Sequence, residues 1–181
     1  MENTVLSLSK RFRRNIFLSW LAAAAIMLLA GLYGWHAQSM AGAGESAAAN
    51  FIHAMEIFKN NISMLGGNLF GVLGLGIPNL ISGVMNGYTM GGVFSLALSQ
   101  FGPMWFFTDI LPHGILEIPV IVASVSVGIL PWMLIASRIY HPEDDRRLLM
   151  RMALKYLVIL AAVCSAALLA AAFIESYISM A

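Results

Sequence analysis

Residues 62–100 contain no Asp, Glu, Lys, Arg or His, and this uninterrupted uncharged stretch narrows what the chain can fold into. As one helix it would be about 58 Å long at 1.5 Å per residue, far beyond the roughly 30 Å hydrocarbon core of a bilayer. The run must therefore break. It is rich in glycine, and Pro78, Asn79, Asn86 and Gly87 lie near its middle. Asn-Gly is a strong turn signal, so the sequence predicts spans at about 62–83 and 86–102, joined by a turn at 83–87.

Composition places that stretch in a membrane. Of the 181 residues, 60% are hydrophobic and 10% charged, whereas soluble domains carry about 25% charged residues. Too few charges remain to cover a water-facing surface. The formal net charge of +1 excludes a nucleic-acid binder built on a broad basic face. Cys164 is the single cysteine, which excludes an internal disulfide and a cysteine-based zinc site. Set among Val163, Ser165, Ala166 and Ala167, it reads as a packing residue. The sequence predicts an all-α integral membrane protein of one domain covering 1–181.

Charge distribution orients the spans. Lys10, Arg11, Arg13 and Arg14 precede an apolar run at about 16–37, which is longer than a signal-peptide core and long enough to cross. Further spans are expected at about 112–137 and 152–174. Arg138, Arg146, Arg147 and Arg151 lie between these two, and Lys and Arg favour cytoplasmic loops. An even number of crossings must then separate the N-terminus from Arg138, and one span, a broken pair and the 112–137 span give four. The expectation is five spans, N-terminus in and C-terminus out, with Glu175 beyond the last one. Between the first two spans, after a small-residue linker at 41–44, Phe51, Met55, Phe58 and Ile62 recur at helical steps while His53, Glu56 and Asn60 fall on another face. This pattern predicts an amphipathic helix near 45–61, lying in the interface or packed on the protein's own helices.

Polar groups inside a span need a partner or a task, and the densest set is at 108–119. Pro112 suits a first helical turn, with Thr108 or Asp109 as upstream caps. His113 and Glu117 are then at i and i+4 on one face, and Pro119 inside the helix frees the Ile115 carbonyl. Three readings compete for Asp109, His113 and Glu117. They hold neighbouring helices in register; they bind or relay a proton, a cation or a polar head group; or they support metal-dependent hydrolysis. The last needs a third ligand, and His36, His53 and His141 are poorly placed to provide it. Asn61, Asn68 and Asn86 complete the candidate polar set, and Asn68 needs a partner in hydrocarbon. Gly66, Gly67, Gly71, Gly74 and Gly76 predict close helix packing, with Gly67 and Gly71 spaced four apart; an unwound segment near Pro78 lining a solute path is the alternative. There is no phosphate loop, no His-Glu-x-x-His and no Gly-x-Ser-x-Gly, so no catalytic residue, cofactor or metal is expected.

Asn60-Asn61 opening a span, the glycine-rich core, Asn86-Gly87 and above all the Pro-His-Gly-x-x-Glu-x-Pro element over residues 112–119 resemble the stage II sporulation protein M family. The resemblance covers about residues 50–137. Pro112, His113, Gly114, Glu117 and Pro119 match its signature; Asn61, Asn86 and Gly87 match the upstream part. It implies a multi-pass, all-helical protein of a bacterial or archaeal plasma membrane. In endospore formers the family's namesake is a scaffold whose soluble partners cleave peptidoglycan, and related proteins resemble accessory components of circular bacteriocin production, secretion and self-protection. The expected function is a non-enzymatic membrane component that assembles with itself or with membrane or envelope partners, a scaffold or export accessory. The alternatives are a permease-like protein for a small or amphipathic solute and, more remotely, an intramembrane metal-dependent hydrolase.

Overall fold

The protein is described from a computed structural model covering residues 2–37, 51–142 and 144–177. The linker at 41–44 and the first residues of the expected amphipathic helix, 45–50, lie outside them. The described residues are almost all helical and contain no strand: α1 (Glu2–Ala37), α2 (Phe51–Phe70), α3 (Ile77–Gln100), the short α4 (Gly102–Trp105), α5 (Leu111–Tyr140) and α6 (Arg146–Tyr177). A 3-10 turn, Gly71–Gly74, joins α2 to α3, and a π-helical turn, Phe106–Ile110, joins α4 to α5. Three helical segments, Leu6–Ala37, Gly102–Tyr140 and Arg146–Tyr177, are long and apolar enough to cross a bilayer.

The helices expose far more large apolar surface than those of a water-soluble bundle. On α1 the buried stripe is Leu8, Phe12, Asn15, Ser19, Ala23 and Met27, while Phe17, Leu21, Leu28 and Leu32 are exposed. The buried stripe mixes small and polar residues with apolar ones while the exposed face is large and apolar, which suits lipid and would be an aggregation surface in water. Helix α5 is the centre. All residues from Ala123 to Leu130 are buried, so this helix is covered on every side, by α1 and α3 on one flank and by α2 and α6 on the other. Leu65, Val127, Leu160, Cys164 and Leu168 fill the α2–α5–α6 interior, and Ala23, Met27, Ile121, Val125 and Ile129 the α1–α5 contact. Cys164 is a packing residue.

The break in the uncharged stretch falls at 71–76, not at 83–87, and α3 runs unbroken through Asn86 and Gly87. Three facts explain the shift. Gly76 adopts φ +75° and lies against the Gly128 backbone, where a Cβ would overlap the Gly128 carbonyl; this is the position that needs glycine. Gly87 is instead held in a helix crossing, where a Cβ would overlap the Met27 carbonyl. The Asn86 amide is satisfied within α3 by the Ser82 carbonyl at 2.7 Å, so the Asn-Gly pair has no need of a turn. The expected Gly67–Gly71 packing pair is also displaced. Nothing lies within contact of Gly66 or Gly67, whereas Gly71 approaches Asn79, Gly74 approaches Pro78, and a further close approach joins Gly31 and Gly34 of α1 to Gly87, Tyr88 and Gly91 of α3.

The turn at 71–76 sits deep. Gly76 touches Gly128, and Trp132 donates its indole N–H to the Leu75 carbonyl at 2.8 Å, yet α5 rises about 18 Å further to Tyr140. The backbone there is satisfied locally, with Gly76 N–H on the Gly71 carbonyl at 3.0 Å and Leu75 N–H on the Val72 carbonyl at 3.2 Å, as a non-helical segment at membrane depth requires. Phe70, Leu73, Leu75 and Ile77 around it are exposed and apolar. The α2–α3 hairpin therefore starts and finishes at the same end of the bundle. At the other end Arg11 of α1 pairs with Asp144, which is 5% exposed, and Arg138 donates to the Asp144 carbonyl at 3.0 Å. The two basic segments of the sequence share one end, as the parity argument demands.

Candidate functional site

Helix α5 is continuous with the helical residues before it, so Thr108 and Asp109 do not cap a helix start; no side chain caps α5. Pro112 lies in its first turn, and Pro119 lies mid-helix on an exposed side. The π-helical turn carries Asp109. Its carboxylate accepts from the Thr108 hydroxyl, and its backbone is hydrogen-bonded by the His113 imidazole one turn later. One further turn along, Glu117 faces α2 and accepts a hydrogen bond from the Asn61 amide. Gly114, between them, is buried but has room around it, with only the end of Ile118 in contact distance of a Cβ.

Glu175 completes the cluster. Helix α6 returns antiparallel to α5, which brings its last turns to the level of His113. One donor atom each of His113, Glu117 and Glu175 lie within 4.8 Å of one another, and all three residues are half-buried. Sequence reasoning placed Glu175 beyond the last span and discounted a metal because a third donor was lacking; the antiparallel α5–α6 hairpin supplies it. The signal was the matching depth of two helix ends, visible only once their pairing is known.

The remaining candidates divide. Asn68 is 3% exposed and belongs to a second polar knot, two turns deeper on α2. It donates to the Ser124 hydroxyl at 2.8 Å, and the Asn79 amide donates to the Asn68 carbonyl at 2.7 Å and the Ser124 carbonyl at 3.0 Å. Asn86 and Gly87 lie on α3, apart from both. Asn79, which the sequence placed near the break, and Ser124, which it did not single out, are both fully buried. A cleft of about 460 Å³ between α1, α3 and α5 is lined by Met27, Leu32, Trp35, Met90 and Phe94 among other apolar residues and glycines, and includes neither knot.

The family model for stage II sporulation protein M matches residues 15–180. An uncharacterized protein of Methanocaldococcus jannaschii is 37% identical over 76 residues, which are 42% of this chain and 32% of that protein. The match thus spans about a third of that relative's length. No solved structure matches the chain significantly.

Proposed function

The chain belongs to the stage II sporulation protein M family, and from that premise we propose that it is a non-enzymatic component of the plasma membrane that assembles with copies of itself or with membrane or envelope partners, as a scaffold or export accessory. One observation carries this reading over a permease-like one. A polar solute path needs wet polar groups at mid-depth, and the polar groups there, Asn68, Asn79 and Ser124, are buried and hydrogen-bonded to one another. A tightly packed interior suits a body that presents surfaces.

The test has two arms. Cysteines replacing Asn68 or Asn79 in a Cys164→Ala background should resist small hydrophilic thiol reagents, and the purified wild-type chain in mild detergent or nanodiscs should form a defined oligomer or co-purify with defined membrane partners. Rapid labelling of position 68 or 79 from water, together with a monomeric, partnerless chain, overturns the proposal in favour of a solute path.

A further inference from the structure

We propose that His113, Glu117 and Glu175 form a site for one divalent transition-metal cation, with Zn²⁺ the best fit, which fastens the first turns of α5 to the last turns of α6. The donors come from two antiparallel helices and converge to within 4.8 Å of one another. Ligand atoms of a tetrahedral zinc ion, each about 2.1 Å from the metal, are about 3.4 Å apart, so side-chain adjustments of about 1 Å close the site with no movement of the helices.

Each α5 donor is already oriented by a neighbour. The His113 imidazole is held by the Asp109 backbone one turn earlier, and the Asn61 amide holds Glu117. Such outer partners are what metal-binding His and carboxylate groups use to fix tautomer and direction. Charge argues the same way. Two carboxylates within 4.8 Å of each other on membrane helices are costly, and a dication offsets both. The donor set selects among cations: Mg²⁺ and Ca²⁺ take oxygen-only sites with more ligands, while one imidazole with two carboxylates suits Zn²⁺ or Mn²⁺. Three protein donors leave a fourth position to water. The site stands whether or not the chain assembles.

Chain purified in detergent and stripped with a chelator is titrated with Zn²⁺, Mn²⁺ and Mg²⁺ by calorimetry, with melting curves alongside. The expected result is one Zn²⁺ per chain, a raised melting temperature, and no response to Mg²⁺. Glu175→Gln and His113→Gln should weaken Zn²⁺ binding at least about a hundredfold and Asn61→Ala about tenfold, while Cys164→Ala and His141→Gln bind as wild type. Should a cluster variant fail to fold, Co²⁺ bound to wild type decides: intense visible d–d bands of a low-symmetry nitrogen and oxygen site support the proposal. Absence of saturable Zn²⁺ binding, unchanged binding in folded Glu175→Gln and His113→Gln, or a Co²⁺ spectrum like that of the free aqueous ion each overturns it.

Discussion

Asn61 donates a hydrogen bond to Glu117 across the α2–α5 interface, and the register this sets recurs one heptad later, where Asn68 donates to Ser124 at 2.8 Å. The same offset at both pairs means that α2 and α5 run parallel, with contacts repeating at the seven-residue period of left-handed helix packing. The upper pair joins the His113 and Glu175 cluster near the end of the bundle. The lower pair, with Asn79, ties the turn at 71–76 to the middle of α5. One interface thus positions both the candidate site and the hairpin that seals the interior.

The lower pair should be measurably coupled. Asn68→Ala and Ser124→Ala each leave a buried partner short of a bond, and a double-mutant cycle in detergent should give a coupling of about 0.5–1.5 kcal/mol, the range of hydrogen bonds between membrane helices. Strictly additive single effects would refute the contact.

Glycines in this chain should separate into two classes. Gly91→Ala places a Cβ on the Gly31 carbonyl and Gly87→Ala one on the Met27 carbonyl, and backbone cannot step aside. Each should destabilise by about 1–3 kcal/mol. Gly66→Ala and Gly67→Ala meet nothing and should stabilise α2 by up to about 0.5–1 kcal/mol through helix propensity. Melting temperatures of the four variants provide the check, and a uniform response would contradict the α1–α3 crossing.

What the sequence made legible was whatever one helix contains. The apolar runs near 16–37 and 152–174 are set by local composition, and the His113–Glu117 face by a spacing of four. What it hid depends on which helices pair. Glu175 joins His113 only because α6 returns along α5, and Asn86-Gly87, a turn signal in isolation, is overridden because Gly87 lies where α1 and α3 touch backbone to backbone. Gly76 carries the turn for the same kind of reason, since Gly128 approaches it from a helix far away in sequence.

The two ends of the bundle should lie on opposite faces of the membrane. Asp145 is exposed beside the Arg11–Asp144 pair, and Ser99 is exposed near the end of α3 at the other end. In a Cys164→Ala background, an impermeant thiol reagent applied to intact cells should label Ser99→Cys and spare Asp145→Cys, because basic segments favour the cytoplasmic side. Labelling of position 145 from outside would sink the orientation; labelling of both would sink the separation of the ends.

Substitutions at Glu117 distinguish its shape from its charge. Glu117→Gln keeps a carbonyl oxygen that accepts from the Asn61 amide at nearly the same volume and relieves the apposition with the Glu175 carboxylate, so metal-free protein should stay within about 1 kcal/mol of wild type. Glu117→Leu removes the acceptor and leaves the Asn61 amide unpaired in a half-buried setting, which should destabilise by about 1–3 kcal/mol. The charge becomes favourable only with a cation present. Wild type should gain melting temperature on adding Zn²⁺, and Glu117→Gln should gain far less, since a neutral amide is a poor ligand for a hard or borderline dication. The measurement is a set of melting curves for the three proteins with and without Zn²⁺. If Glu117→Gln melts with wild type in the absence of metal but fails to follow it upward in its presence, the carboxylate acts through its charge; if Gln and Leu are equally damaging without metal, the Asn61 hydrogen bond is not what Glu117 contributes to the fold.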